Sequence, residues 1–407
     1  MQNNKARTED IYLFDNTIAV NIYSGDFDKL LTNLKLRGQY LASKYYPQKK
    51  IVDFINDKVI SGEIKKEDLN KFLPNKLSYG KHKQVFYYKF KESFNFDNSL
   101  KGVLDILSRN YRVSTLEYNE LASTYYLYEK GENEDIGYIK ILKENKKKIL
   151  KLRVIVVKKV KYRDRNIDKF ENSYFPIDID FENNYLIIKS LVKDYIKDPN
   201  YKGENIANKL AKKFLQIFNL SNIEDKSGNQ EILYNMCNKL LNEVIEKISK
   251  LGMEDIDDDI NKLAIITKNK IKNKLSVEEQ KLQCFDELTF QIRNIIENMI
   301  VPLCLIDNKQ IEGLISYIKF RDKTAVKAVL KTRRRKETLL DSEAYLNLRQ
   351  TLKKSRYIQK IRVLWNKEDI SLYYDATRDE CVEIHFYRKV SREDVEYAIR
   401  KFEENRS

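Results

Sequence analysis

The chain has 407 residues, of which 42% are hydrophobic and 34% charged, with a formal net charge of +15. Twenty-seven Tyr, 18 Phe and many Ile exclude an intrinsically disordered protein, and 11 Gly with 5 Pro leave little material for flexible linkers. The length implies two or three domains, and no apolar run approaches the roughly 20 residues that cross a bilayer.

In chain order, residues 11–23 alternate around Asp15-Asn16 and predict a β-hairpin. Residues 27–45 carry apolar side chains at helical spacing, and two more helices are predicted at 49–60 and 66–73, then a strand at 82–90 and a helix at 96–108. The order helix, helix, strand over 49–90 resembles a winged helix, with Lys81 and Lys83 in the wing. From about 114 to 190 the period changes to two. Strands are expected at 125–128, 137–142, 149–161, 174–180 and 185–189, with turns at Gly131 and Asn183-Asn184, forming an antiparallel sheet. Residues 202–300 read as four amphipathic helices, a bundle or a helical layer on the sheet, and offer a surface for a protein partner. The last hundred residues read ββαβββα, with strands at 313–320, 325–330, 358–365, 370–375 and 381–387. Asp341 or Ser342 caps the first helix there and Ser391 opens the last. The expected class is therefore α+β: an antiparallel sheet region, a helical layer or bundle, and a small C-terminal α+β domain. The expected division is 1–110, 111–200, 201–304 and 305–407.

Charge is unevenly placed. Residues 140–165 hold about +10 and residues 319–362 about +11, so the remainder is acidic. Clustered like charge raises the self-energy of a fold and is relieved by a polyanion, whose condensed counterions are released on binding. The sequence therefore points to a nucleic-acid partner, DNA in preference to RNA and duplex in preference to single strand. The residues expected to make the contacts are Lys319, Arg321, Lys323, Lys327, Arg333, Arg334, Arg335, Lys336, Arg349, Lys353 and Arg356, with a second group at Lys146, Lys147 and Lys148. Arg333, Arg334, Arg335, Arg349, Lys353 and Arg356 are expected on one exposed surface, and Tyr317, Phe320, Tyr357 and Trp365 are the aromatics placed to stack on bases.

Catalytic signals are sparse. Asp178 and Asp180 share a strand face near Glu182 and Lys189, an arrangement that resembles metal-dependent nucleases, but Ile187 occupies the place of the acid such a core needs before its lysine. The acidic run Glu254–Asp259 suits a helix N-terminus. Cys237, Cys284, Cys304 and Cys381 are dispersed and His82 and His385 are the only histidines, so no zinc site, other metal or cofactor is expected, and no residue is assigned to catalysis. Asp375, Glu383 and His385 fit an exposed sheet face better than a hydrolytic pair. Met1–Asp10 lacks a signal-peptide core, and the abundance of Lys, Asn, Ile and Tyr suggests a low-GC bacterium, its phage or a mobile element. The expectation is a cytoplasmic, non-catalytic nucleic-acid-binding protein of a bacterial accessory, phage-defence or mobile-element system, without membrane contact. The alternatives are a divergent metal-dependent nuclease and a protein-interaction scaffold.

Overall fold

A computed structural model describes residues 13–14, 16–46, 48–91, 97–111, 121, 134–164, 167–248, 254–275, 289, 292–293, 295–296, 299, 311–321, 327–334, 337–340, 342–366 and 368–406. The class is α+β with antiparallel strand pairing. The chain forms two compact units, the first comprising Met1–Asp225 and Arg378–Ile399, the second Lys226–Thr377 and Arg400–Ser407.

The first unit begins with helices α1 (Ile18–Asn21), α2 (Ser24–Asn33), α3 (Arg37–Ala42), α4 (Ile51–Ile60) and α5 (Lys66–Ser78). In place of the hairpin expected at 11–23, the described residues show a turn at Asn16-Thr17 and the short helix α1. Phe14, Ile18 and Ile22, all buried, lie four apart, a spacing that serves period two and one helical face equally. The helix expected over 27–45 is broken at Lys35, whose φ is +59°, and resumes as α3 so that Leu36 and Tyr40 reach the same core as Leu31.

Strands β1 (Gln84–Lys91), β2 (Glu134–Asn145), β3 (Lys148–Asp164), β4 (Ile167–Asp180), β5 (Tyr185–Ser190) and, late in the chain, β11 (Val382–Phe386) build its sheet in the order β2-β3-β4-β5-β1-β11. A two-residue strand, β6 (Ser221–Asn222), pairs with the end of β1. Helices α6 (Leu100–Asn110) and α7 (Gly203–Ile217) bury Val103, Leu107, Leu210 and Phe214 against one sheet face. Residues from α1–α5 cover Tyr138, Ile155, Val157 and Tyr174 on the other. Residues 152–157 of β3 are therefore buried without alternation, as a doubly covered strand requires. The winged-helix reading fails here: β1 is paired on both sides, by β5 and β11, and is no exposed wing. The strand expected at 125–128 lies outside the described residues.

The second unit holds α8 (Lys226–Ile248), α9 (Glu254–Leu275), β7 (Gly313–Arg321), β8 (Lys327–Lys331), α10 (Glu343–Ser355), β9 (Ile358–Trp365) and β10 (Ile370–Asp375). Its strands run antiparallel in the order β8-β7-β9-β10, and α8 packs on β9. Ser342, the second of the two expected caps, accepts a hydrogen bond from the Tyr345 amide. The last helix, α11, spans Arg392–Glu403. The fourth helix expected at 277–300 lies largely outside the described residues. Among the described residues no helix is long and apolar enough to cross a membrane.

Two buried groups give measurable consequences. The His82 imidazole is fully enclosed, with Nε2 3.0 Å from the Tyr174 carbonyl oxygen, and burial lowers its pKa to about 3. The unfolded chain takes up a proton below about pH 6.5 that the folded chain refuses, so stability is complete above that value and falls with acidification. Relative to His82→Gln, the wild type should lose about 1.4 kcal/mol per pH unit between pH 6 and 4, read from urea midpoints; parallel profiles would refute it. Cys237 and Cys381 are buried, and desolvation pushes each thiol up to about 12. Iodoacetamide at neutral pH should spare both in the native protein and modify both in urea, as located by peptide mass mapping.

Candidate nucleic-acid interface

The second unit's sheet has two unlike faces because successive residues of a strand alternate. Ile318, Phe320, Ile361, Val363, Leu372 and Tyr374 are buried on one face, where Tyr374 stacks on Phe402 with ring centroids 6.0 Å apart. The register places the other face in cross-strand rows. Lys331, Tyr317, Arg362 and Tyr373 form one row; Val329, Lys319, Lys360 and Asp375 form the next, with Arg321 and Lys327 paired beyond them.

This second face is basic and aromatic. Tyr317 and Tyr373 lie 5.4 Å apart, and Arg321, Lys327 and Lys331 are exposed. Lys360 pairs with Asp375 while its ammonium sits 5.7 Å from the Tyr373 ring. Arg362 is buried, its guanidinium held by Ser316: Nε donates to Ser316 Oγ at 2.7 Å and Nη2 to the Ser316 carbonyl at 3.1 Å. The Lys319 ammonium is held below its ordinary pKa by partial burial, then by Lys360, Lys327 and Arg321 crowding it; Asp375 opposes them.

The remaining sequence-predicted residues of the second unit lie off these cross-strand rows or fall outside the described residues. Lys323, Arg335 and Lys336 lie outside the described residues. Arg333 and Arg334 are exposed in the loop after β8, Arg334 next to Glu337 at 4.0 Å. On α10, Lys353 and Arg356 are exposed, but Arg349 is half-buried; Arg349 and Lys353 line a cleft of about 230 Å³ with Tyr234, Cys237 and Tyr345. Of the expected stacking aromatics, Phe320 and Trp365 are buried on the covered face and cannot meet a base, whereas Tyr357 is exposed. Tyr373 and Lys360 join the site instead, with Arg362 buried in the cross-strand row of Tyr373. Period two was the available signal: on Ile370–Asp375 it sets Tyr373 opposite buried Leu372 and Tyr374.

In the first unit, much of the charge in 140–165 is neutralised by acids on neighbouring strands and in the turn between β4 and β5. Lys143 pairs with Glu182, Lys151 with Asp180, Arg153 with Asp178, Lys158 with Glu134 and Lys161 with Asp168, at 2.6–2.8 Å. What stands out is the hairpin tip, where Lys146, Lys147 and Lys148 are all exposed.

The nuclease alternative gains no support from Asp178 and Asp180. They do share a face, opposite Ile177 and Ile179, but that face is covered and not solvent-facing. Asp178 accepts from Arg153 and Lys189, and Asp180 from Lys151, the Asn183 amides and the Glu182 amide. The cations hold both carboxyls below their ordinary values against the opposing effect of burial. Among the described residues, no group of three or more His, Cys, Asp or Glu could hold a metal ion. On α9, Leu263, Ile265 and Ile266 are exposed.

Lys146 and Lys147 have φ of +48° and +64°, conformations that suit Asn-Gly and cost a β-carbon about 1 kcal/mol. Replacing them with Asn-Gly should raise the urea midpoint and, if this tip touches phosphate, weaken nucleic-acid binding at about 0.1 M salt; a gain in stability without loss of binding would make it an ordinary solvated turn. No known family model matches the chain, and a search of curated proteins likewise finds no match.

Proposed function

We propose that the second unit binds nucleic acid on its basic sheet face. The observation that carries the reading is the crowding of Lys319 by Lys360, Lys327 and Arg321 around a pair of tyrosines on one face. Asp375 offsets only part of this crowding; the remaining proximity of like charges is destabilising, and a phosphate backbone converts it to attraction. The rings add a stacking surface that a duplex, whose bases are already stacked, uses poorly. This reading therefore moves the preferred target from duplex DNA toward an unpaired strand. It keeps the cytoplasmic setting and the accessory, phage-defence or mobile-element role that composition suggests, and it assigns no catalysis.

The test is anisotropy titration of labelled single-stranded and duplex oligonucleotides at several salt concentrations. Replacing Arg321, Lys327 and Lys331 with Ala should lower the log–log salt slope by about two to three units, with little change in stability because these side chains are exposed. Tyr373→Ala should cost about 1–3 kcal/mol against single strands and much less against duplex. An unchanged salt slope in the triple variant would overturn the assignment.

A further inference from the structure

A separate set of cations lies in the first unit, and no part of the sheet-face reading uses it. Arg153 on β3 is 7% exposed. Its Nε and Nη2 donate to the two oxygens of Asp178 at 2.6 and 2.8 Å, and Nη2 also donates to the Tyr79 hydroxyl. Among the described residues, Nη1 has no hydrogen-bond partner. Lys189 on β5 is 0% exposed; its ammonium donates to Asp178 Oδ2 at 2.7 Å and lies 4.4 Å from the centre of the Tyr79 ring. Two enclosed cations thus share one carboxylate, leaving a positive charge where water scarcely reaches. Burial lowers the Lys189 pKa to about 8 despite Asp178, with Arg153 adding to the reduction.

This surplus does not end in apolar packing. Tyr79 and Arg153 line a cleft of about 600 Å³, whose wall also carries Lys71, Lys140 and Arg392 and, among the described residues, the single acid Glu67. Small-molecule sites commonly occupy roughly 300–1,000 Å³. Arg392 is held by Glu396 at 2.7 Å, yet still lines the opening. Three exposed cations around a half-neutralised buried guanidinium make a field that favours an anion, strongest at the dry end of the cleft. A guanidinium nitrogen without a partner among the described residues, beside a phenol, suits a tetrahedral oxyanion, whose oxygens accept charge-assisted hydrogen bonds from several donors at once.

We propose that this cleft binds a phosphoryl group, with Arg153 at its floor and Lys140 and Arg392 at its rim. Such a group could come from a free nucleotide or from the 5′ end of a nucleic acid, and both present the same phosphate ester. In the pocket it would neutralise the charge that Asp178 alone leaves over. Tyr138, buried beside Tyr79, and Leu142 supply an apolar flank for the remainder of a nucleotide.

Calorimetric titration of the full chain with ADP, inorganic pyrophosphate, and a short oligonucleotide carrying a 5′-phosphate or a 5′-hydroxyl tests this. At least one phosphate should bind at 1:1 stoichiometry with micromolar Kd. A preference for ADP identifies a free nucleotide, and a preference for the 5′-phosphate over the 5′-hydroxyl identifies a strand end. Lys140→Gln and Arg392→Gln, both at exposed positions, should each raise Kd about three- to tenfold with Tm unchanged. Arg153→Lys, which keeps the charge but removes the planar fork, should raise it more than tenfold. The proposal is overturned if no phosphate binds below millimolar concentration. It is equally overturned if Lys140→Gln and Arg392→Gln leave Kd unchanged, or if binding disappears in the Arg321, Lys327, Lys331 triple variant but survives all three cleft variants, since the phosphate would then sit on the other basic surface.

Discussion

In a sheet covered on both faces, a polar side chain on an inner strand has little water to turn to, and residues 152–157 of β3 and 171–180 of β4 in the first unit lie in such a sheet. Every charged group there needs a partner supplied by the fold. Asp178 answers two cations, Glu171 answers Lys193 at 2.6 Å, and Asp180 answers Lys151. Breaking one side of such a pair strands a charge in a low-dielectric interior, at a cost of about 3–5 kcal/mol. The pairs also specify register, because a one-residue slip of β4 against β3 would carry Asp178 to the apolar face and away from Arg153.

That double coverage also explains what could and could not be read from the residues. The strands at 137–142, 149–161, 174–180 and 185–189 and the helices from 51 to 110 follow from local spacing, because each buries a stripe whose period the residues display. The pairing of acids and bases was hidden, since Lys143 and Glu182, or Arg153 and Asp178, are brought together only by the strand register. A run of lysines and arginines therefore looked more charged along the chain than its environment makes it. The hairpin at 11–23 failed for the opposite reason: Phe14, Ile18 and Ile22 satisfy two periodicities, and the core beneath α4 and α5 selects the helix.

The second unit's sheet shows the complementary case. Its basic strand residues were legible, because Lys319 and Arg321 alternate with buried Ile318 and Phe320. The aromatic contribution was read from nearness in sequence, which does not distinguish the two sides of a strand; parity moves Trp365 and Phe320 inward and brings Tyr373 to the basic side. The residues of α10 were grouped with the hairpin because a short loop joins them, yet Arg349 and Lys353 line a cleft with side chains of α8.

The first unit is discontinuous, and this sets an order of events during synthesis. Strand β1 pairs through Gln84 with Ser190 on one side and with His385 on the other. The first partner emerges from the ribosome about a hundred residues after β1, the second about three hundred. At roughly 5–20 residues per second, one edge of β1 waits about 15–60 s for β11. During that interval Val85, Phe86 and Tyr87 sit on an unsatisfied strand edge, the kind of surface that recruits strands from other chains. A ribosome stalled within the second unit would hold the first in that state, so the rate of elongation across residues 226–377 bears directly on how cleanly a region ending at Asp225 can fold.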